Sequence, residues 1–280
     1  MSGMTALPVD LTDAAQASAF TACLAALHGA PAEALTDVVA TLEPRAWALP
    51  EPDGAWRGVV GVRRTPAPAA ELVGGVHATL DWTDDTAALV TAAHAHVGAV
   101  YAYADEHAWS LPGLERAGFT PVSQYRRAAG WPPTDAPEWP DGFTWRTLAQ
   151  HPDPAALLEG LRTYEGQWGH HTVTPASAAL DAWAPELSVL ALDPSGQVAG
   201  VCRAALDGEM AHADAPGVRA DLRAGGALRR ALLLTVSALL REAGATHLTL
   251  ESWGEDERVS AQDAALGLQP EMVTEILARA

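Results

Sequence analysis

The sequence predicts a mixed α/β fold of the α+β type, arranged as two tandem domains that each contain a mostly antiparallel sheet flanked by helices. The first indication is a degenerate repeat, since segments 49–64 and 192–203 both read as a hairpin with a Pro/Gly turn. The second is the match between Gly75–Asp81 and Gly217–Arg223, each followed by a helical pattern. The third is segment 129–142, whose four prolines cannot continue a helix or a central strand.

The proline-rich segment sets the expected boundaries. We predict a first domain over residues 1–128, a linker over 129–141 and a second domain over 142–280. A length of 280 residues suits one large domain or two ordinary ones, and 49% hydrophobic residues is typical of a globular chain that buries its own core.

In the first half, a strand is expected near Val9, followed by helices near Asp13–His28 and Ala32–Leu42. The hairpin and a long helix come next, and then a strand over Val100–Ala104. The last helix is expected to stop at Gly118, because Gly readily adopts the left-handed conformation that ends a helix.

The second half repeats this order. It begins with a strand over Phe143–Leu148 and helices over Pro154–Tyr164 and Pro175–Trp183. After the hairpin, a long helix is expected over Ala227–Ala243, and a strand over Thr246–Leu250. The apolar residues of the long helix recur at the spacing of one buried stripe. They are Leu228, Leu232, Val236, Leu239 and Leu240.

Charge and composition exclude several classes of function. A formal net charge of −18 makes nucleic acid and anionic membranes poor partners, and basic substrates better ones. The sequence has no apolar run long enough to span a bilayer and no charged signal-peptide head, so we expect a cytoplasmic protein. Cys23 and Cys202 lie far apart in apolar stretches, which favours buried free thiols over a disulfide or a metal site.

The segment with a chemical interpretation precedes the second long helix. Glycines there let backbone N–H groups approach a phosphate, while the helix directs its positive end at the same point. Within 216–243, arginines exceed acids by three, in an otherwise anionic chain. This pattern suits a polyanionic cofactor. An ordinary Gly turn before an amphipathic helix is the alternative.

This loop resembles the cofactor-binding loop of the GNAT superfamily of acetyl-CoA-dependent acyltransferases. The family pattern is Arg or Gln, two residues, Gly, one residue, and then Gly or Ala. Arg223 and Gly226 fit the pattern, whereas Leu228 departs from it. The resemblance implies acetyl-CoA as a co-substrate and no metal. The implied cofactor-binding residues are Val218, Arg219, Arg223, Ala224, Gly225, Gly226, Ala227, Leu228 and Arg229.

The resemblance also implies a mechanism, in which the thioester lies where two strands separate and bonds to backbone near Val218. An amine then attacks the thioester, and a base must first remove a proton from the ammonium. Asp214 and Glu251 are the expected catalytic residues, because each precedes the separation on its own strand. A solvated strand residue or a local ion pair is the alternative for either. His170 is expected in a plain loop.

The usual general-acid Tyr of the family, four residues before the closing Gly, is missing. Asp263 and Leu114 stand at that position in the two halves, and Tyr164 could substitute only if its helix borders the cleft. The expected function is an acetyl-CoA-dependent N-acetyltransferase acting on a primary amine of a small molecule. The alternatives are a non-catalytic CoA-binding sensor or scaffold, and a binding module without CoA affinity.

The first half is expected not to bind the cofactor. Asp81 stands at the place of Arg223, and the positions of the glycine turn carry Trp82, Thr83, Asp84 and Asp85. Carboxylates there would repel a pyrophosphate. This half is then expected to serve in packing, in shaping the acceptor cleft or in dimerisation, so that a homodimer is one expected assembly.

Overall fold

The structure is a computed structural model. Among the helices that it describes, none combines the length and the apolar composition that a membrane span needs. The described residues are 5–78, 82–104, 107–170, 183–254 and 257–280.

The chain forms two compact units of mixed α/β structure, which confirms the predicted fold class. Unit 1 consists of Met1–Ser123 and Thr274–Ala280, and unit 2 of Gln124–Val273. Both cysteines are buried free thiols. This agrees with the prediction from their apolar surroundings.

The sheet of unit 1 is antiparallel in chain order over its first four strands, and its fifth strand lies parallel to the fourth. The strands are β1 (Leu7–Asp10), β2 (Arg45–Pro50), β3 (Trp56–Arg63), β4 (Ala70–Val76) and β5 (Val100–Tyr103). The helices are α1 (Ala14–His28), α2 (Thr36–Ala40), α3 (Trp82–Val97) and α4 (Leu111–Arg116), with a 3-10 turn at Ala32–Leu35.

Helices α1 and α3 cover opposite faces of this sheet. Ala46 and Ala48 of β2 pack with α1, whereas Trp47 and Leu49 belong to the cluster that contains Leu89 of α3. The alternation follows from the two-residue period of a strand.

Local signals set the ends of α1. The Asp13 side chain accepts hydrogen bonds from the amides of Ala15 and Gln16 at the start of the helix. Gly29, with φ of 60°, adopts the left-handed conformation at its end.

Unit 2 contains two sheets, in the strand orders β6–β13–β11–β10 and β12–β9–β8–β7 as numbered along the chain. The strands are β6 (Thr120–Gly130), β7 (Thr144–Thr147), β8 (Val189–Leu192), β9 (Val198–Cys202), β10 (Ala204–Asp207), β11 (Met210–Asp214), β12 (Gly217–Val218), β13 (His247–Trp253) and β14 (Gln269–Arg279). The helices are α5 (Pro154–Leu161), α6 (Gly225–Glu242) and α7 (Glu257–Ala265), with a 3-10 turn at Arg162–Tyr164. The helix expected over Pro175–Trp183 falls almost wholly outside the described residues.

The last strand of the chain completes unit 1, and the strand after α4 completes unit 2. Residues 125–130 of β6 pair antiparallel with β13, and residues 276–279 of β14 pair antiparallel with β5. The expected division at residues 128 and 142 differs from these units because the strand following each short closing helix contributes to the other half.

Helix α6 is the centre of the unit 2 core. It packs on strands of both sheets, and its predicted stripe is fully buried at Leu228, Leu232, Val236 and Leu240, with Leu239 partly buried.

The opposite side of α6 is also covered, by the proline-rich segment. The Trp139 indole donates a hydrogen bond to Thr235 Oγ1 at 3.2 Å, and Arg230 pairs with Asp135 at 2.5 Å. The segment expected to be a linker therefore packs along α6.

We predict that Leu232→Ala lowers the free energy of unfolding by about 2–5 kcal/mol, because it leaves a cavity at a fully buried site. Urea unfolding followed by tryptophan fluorescence measures the change. Leu239→Ala is the matched control on the same helix and should cost less, since Leu239 is only partly buried. Equal losses in the two variants would contradict the placement of the stripe.

Candidate functional site

The site lies where the parallel strands β11 and β13 separate. The two strands stay in register from Met210 opposite His247 to Asp214 opposite Glu251. The Ala215 amide still bonds to the Glu251 carbonyl at 2.7 Å. The chain then turns to the other sheet as β12, which pairs with β9. A gap therefore opens between β12 and the end of β13.

The hydroxyl of Tyr164 stabilises this separation. It accepts a hydrogen bond from the Gly217 amide at 2.9 Å and donates to the Ala215 carbonyl at 2.6 Å. Burial, followed by the nearby Asp214 carboxylate, raises the pKa of Tyr164 well above its ordinary value. The neutral hydroxyl therefore serves both backbone groups, and Tyr164 is not placed as a general acid for a leaving group.

The backbone amide of Val218 faces the gap. Arg219 donates its amide to the Ala199 carbonyl of β9 at 2.9 Å, and Val218 stands opposite Gly200. In an antiparallel ladder, successive amides point to opposite sides of the strand. The Val218 N–H therefore points away from β9, on the side where the family resemblance implies a contact to a thioester.

The N-terminus of α6 is open beside this amide. Ala224 caps the helix without a side-chain hydrogen bond, and no acidic residue occupies the first turn. A Cβ atom added to Gly226 would meet nothing within 4 Å, and one on Gly225 would meet only Val218 Cγ1 at 3.9 Å. Gly226 and Ala227 are exposed. The Gly225 amide donates to the Leu222 carbonyl at 3.1 Å, so the amides of Gly226 and Ala227 are the ones left for an anion.

The predicted cofactor-binding residues divide into two groups. Val218, Ala224, Gly225, Gly226 and Ala227 lie around the gap and the helix start, together with Arg223, whose side chain is exposed and forms no ion pair within the described ranges.

Three other side chains of that prediction are engaged elsewhere. Leu228 is buried in the core. Arg229 is buried and forms a bidentate pair with Asp263, at 2.8 and 2.9 Å. Arg219 pairs with Asp193 at 3.1 Å and with Asp221 at 3.0 Å. Their side chains therefore support the loop and the helix rather than line the opening.

Asp214 and Glu251, the predicted catalytic pair, lie side by side in the ladder but in different environments. Asp214 is 2% exposed and accepts a hydrogen bond from Arg203 Nε at 2.7 Å. Burial raises the pKa of Asp214, the Arg203 guanidinium opposes this, and the Glu251 carboxylate adds to it. Glu251 is partly exposed, and its Oε1 accepts a hydrogen bond from the Tyr125 hydroxyl at 2.9 Å.

Aromatic residues lie beside Glu251 and next to one another. Tyr125 of β6 contacts Trp253 of β13, with ring centroids 5.2 Å apart. His170, expected in a plain loop, is buried between Trp253 and Tyr164, with centroids at 4.5 and 4.0 Å. The one sequence signal that indicates an aromatic neighbour of Glu251 is the alternation of β13, which puts Trp253 on the same face of the strand.

The position of the missing Tyr is occupied by an ion pair. Asp263 of α7 binds Arg229 of α6 with both carboxylate oxygens. This buried pair connects the two helices at the place where the family Tyr would stand.

The first half closes the equivalent gap with its own chain. His77 bonds to the Arg57 carbonyl of β3, so the Val76 amide points away from that strand. It donates instead to the Ala108 carbonyl at 2.8 Å. A Cβ atom on Gly75 would lie 2.7 Å from the same carbonyl. The amide that matches Val218 is therefore already occupied.

The two described carboxylates at the positions of the glycine turn are paired. Asp84 forms an ion pair with Arg116, and Asp85 with Arg57 at 3.1 Å. Asp81 lies outside the described residues.

We predict that Gly217→Ala destabilises unit 2 by about 1–3 kcal/mol or more, because overpacking is costly where the backbone cannot move. The new Cβ would lie 2.2 Å from Thr163 Oγ1 and 2.7 Å from the Tyr164 ring. Gly226→Ala is the control and should be neutral or slightly stabilising, since nothing lies near its Cβ. Urea midpoints measure both, and an unaffected Gly217→Ala variant would contradict the packing.

A second prediction concerns Asp193, which forms an ion pair with Arg219. The Ser195 hydroxyl is the main cause that lowers the pKa of Asp193 to about 2. A carboxyl whose folded-state pKa is depressed stabilises the fold above its unfolded pKa, and this contribution is lost as the pH falls. The stability advantage of wild type over Asp193→Asn should therefore be complete above about pH 4 and vanish towards pH 2. Urea midpoints over this range test it; a constant difference would refute it.

Comparison with known proteins connects this geometry to a known fold. The sequence matches no protein-family model and no curated protein. Among solved structures, the chain is similar to a GCN5-related N-acetyltransferase from Sphaerobacter thermophilus, with 21% identity, TM-score 0.63 and coverage of 98% of this chain and 95% of that one. It is also similar to a tandem GNAT protein from the clavulanic acid biosynthesis pathway, with 15% identity, TM-score 0.57 and coverage of 99% and 98%.

A more distant similarity is to N-myristoyltransferase from Saccharomyces cerevisiae with bound myristoyl-CoA, with 11% identity, TM-score 0.53 and coverage of 100% and 80%. Two of these structures are N-acyltransferases, and one is a tandem GNAT protein that matches both halves of the chain. The protein therefore has the tandem GNAT fold that its repeat and its glycine loop predicted.

Proposed function

We propose that the protein is an acyltransferase in which unit 2 binds acetyl-CoA and transfers the acetyl group to a primary amine of a small molecule. The observation that carries this proposal is the contrast between the halves. In unit 2 the Val218 amide faces an open gap beside an uncapped helix start. In the first half the matching amide of Val76 is bonded to Ala108. The first half is accordingly proposed not to bind the thioester.

The start of α6 fits a pyrophosphate. The exposed amides of Gly226 and Ala227 supply donors, and the helix dipole favours an anion there. Arg223 adds a positive charge on the same turn. No carboxylate of the first turn opposes them.

The gap fits the reactive end of the co-substrate. Acetyl-CoA supplies the acetyl group in activated form, as a thioester. The Val218 amide is a fixed donor for a carbonyl oxygen on which negative charge develops, a role in which one donor contributes about 2.7–4 kcal/mol in other enzymes.

Glu251 is the proposed general base. Its carboxylate is partly exposed at the point of separation, where it can accept a proton from an incoming ammonium. Asp214 is buried and held by Arg203, so it is proposed to act through its charge and to position the neighbouring strand rather than to contact the amine.

One observation favours the alternative of a non-catalytic CoA-binding sensor or scaffold. Asp263 replaces the Tyr that protonates the leaving thiolate in many relatives, and it is bound to Arg229. A carboxylate in a bidentate pair is not a proton donor. Catalysis then requires the thiol to leave as a thiolate, which is feasible near neutral pH.

A thermal-shift titration with acetyl-CoA tests binding, because a ligand of the folded state raises the melting temperature. A free acetyl-CoA concentration of 100 times Kd stabilises the folded state by about 2.7 kcal/mol. We expect Arg223→Glu to abolish most of the shift by placing an anion beside the phosphate site. Arg146→Glu is the matched control, since Arg146 is an exposed residue of β7, at the far edge of its sheet from β12. Equal losses in both variants, or no shift in wild type, would reject the binding proposal.

Release of free CoA thiol over a panel of primary amines then distinguishes the enzyme from the sensor. Glu251→Gln should lower the rate by about 10²–10⁴ while leaving the acetyl-CoA shift intact. A thermal shift without amine-dependent thiol release would favour the sensor.

A further inference from the structure

A continuous row of aromatic rings borders Glu251 on the face of β13 that lies away from α7. Tyr125, Trp253, His170 and Tyr164 follow one another with centroid distances of 5.2, 4.5 and 4.0 Å. Tyr164 and His170 are buried and hold the row in place, whereas Tyr125 and Trp253 remain partly exposed. The accessible end of the row is therefore the end that adjoins the Glu251 carboxylate.

In the described part of the chain, one carboxylate beside these rings forms no ion pair. Asp214 is neutralised by Arg203, and Arg127, opposite Glu251 in the ladder, pairs with Glu271 at 3.5 Å. The Glu251 carboxylate accepts a hydrogen bond from the Tyr125 hydroxyl, which is neutral. The described residues thus present one negative charge beside the Tyr125 and Trp253 rings.

We propose, building on the acetyl-transfer function, that the acceptor is a monocationic arylalkylamine: a single primary ammonium carried on a short chain with an aromatic ring. The ammonium lies at Glu251 within reach of the Tyr125 and Trp253 rings, where ring faces attract a cation. The aromatic part of the acceptor packs against Trp253, as aromatic pairs do at centroid distances of about 4.5–7 Å.

This charge arrangement disfavours polyamines and aminoglycosides. Among the described residues, each additional ammonium would lose water beside apolar rings without gaining a counterion, and an unpaired desolvated charge is costly. The strongly negative net charge of the chain attracts all these cations at long range. The local environment therefore decides between them.

Calorimetric titration of the full-length protein, without any thioester, tests the inference. The probes are 2-phenylethylammonium, spermidine and 2-phenylethanol. We expect 2-phenylethylammonium to bind at least about tenfold more tightly than either of the others, a difference that corresponds to about 1.4 kcal/mol. Spermidine binding as tightly or more tightly, or no binding of 2-phenylethylammonium, would overturn the proposal.

Variants locate the site. Trp253→Leu and Glu251→Gln should each weaken 2-phenylethylammonium binding about tenfold, and Trp253→Phe should retain most of it. Trp131→Leu and Glu186→Gln are the matched controls, because Trp131 is 71% exposed and Glu186 is an exposed residue after the 171–182 segment. Urea unfolding confirms that each variant is folded. An unchanged affinity in folded Trp253→Leu would reject the surface formed by Glu251, Tyr125 and Trp253 as the binding site.

The acetyl-CoA thermal shift separates this inference from the proposed function. A thermal shift without binding of 2-phenylethylammonium rejects the acceptor class and leaves the thioester site. Binding of 2-phenylethylammonium that depends on Trp253, without a shift, rejects acetyl transfer and leaves an arylalkylamine-binding site.

Discussion

The pair of hydrogen bonds made by the Tyr164 hydroxyl is the interaction on which the candidate site depends. A strand that leaves its neighbour exposes backbone groups, and each buried group without a partner costs about 1–3 kcal/mol. Tyr164 satisfies the Ala215 carbonyl and the Gly217 amide at the point of departure. Because those two groups are held, the next amide along, that of Val218, has a fixed direction. The opening is thus built from α5 and its 3-10 turn, outside the loop that the sequence identified.

The two halves of the chain differ at this point by one backbone carbonyl. The same Gly-Val pair ends β4 in the first half and forms β12 in the second, and both halves turn the valine amide away from the preceding hairpin. Ala108 receives that amide in the first half. Repulsion by acids is the difference expected from the sequence, but Asp84 and Asp85 are paired with arginines. Occupation of the amide is a further reason, and it depends on a contact between segments that lie about thirty residues apart.

Much of the fold could be predicted from the sequence, because the repeat, the glycines and the stripe of α6 are local patterns. The cofactor loop could be located in the same way. The side chains that face the opening could not be predicted from the sequence. Arg219 and Arg229 pair with the acidic residues Asp193 and Asp263, which lie 26 and 34 positions away. Tyr125 was missed for a similar reason: it reaches Glu251 only through the pairing of β6 with β13. Long-range pairing of this kind has no periodicity to detect.

The exchange of strands makes the halves of the gene inseparable as protein fragments. A fragment cut at the proline-rich segment would retain β6 but lose residues 274–280, and with them the partner of β5. The complementary fragment would lose the strand that pairs with β13. Each piece would expose an unpaired strand edge, which promotes aggregation. Loss of either half would therefore leave the remaining half without the strand that borders its sheet.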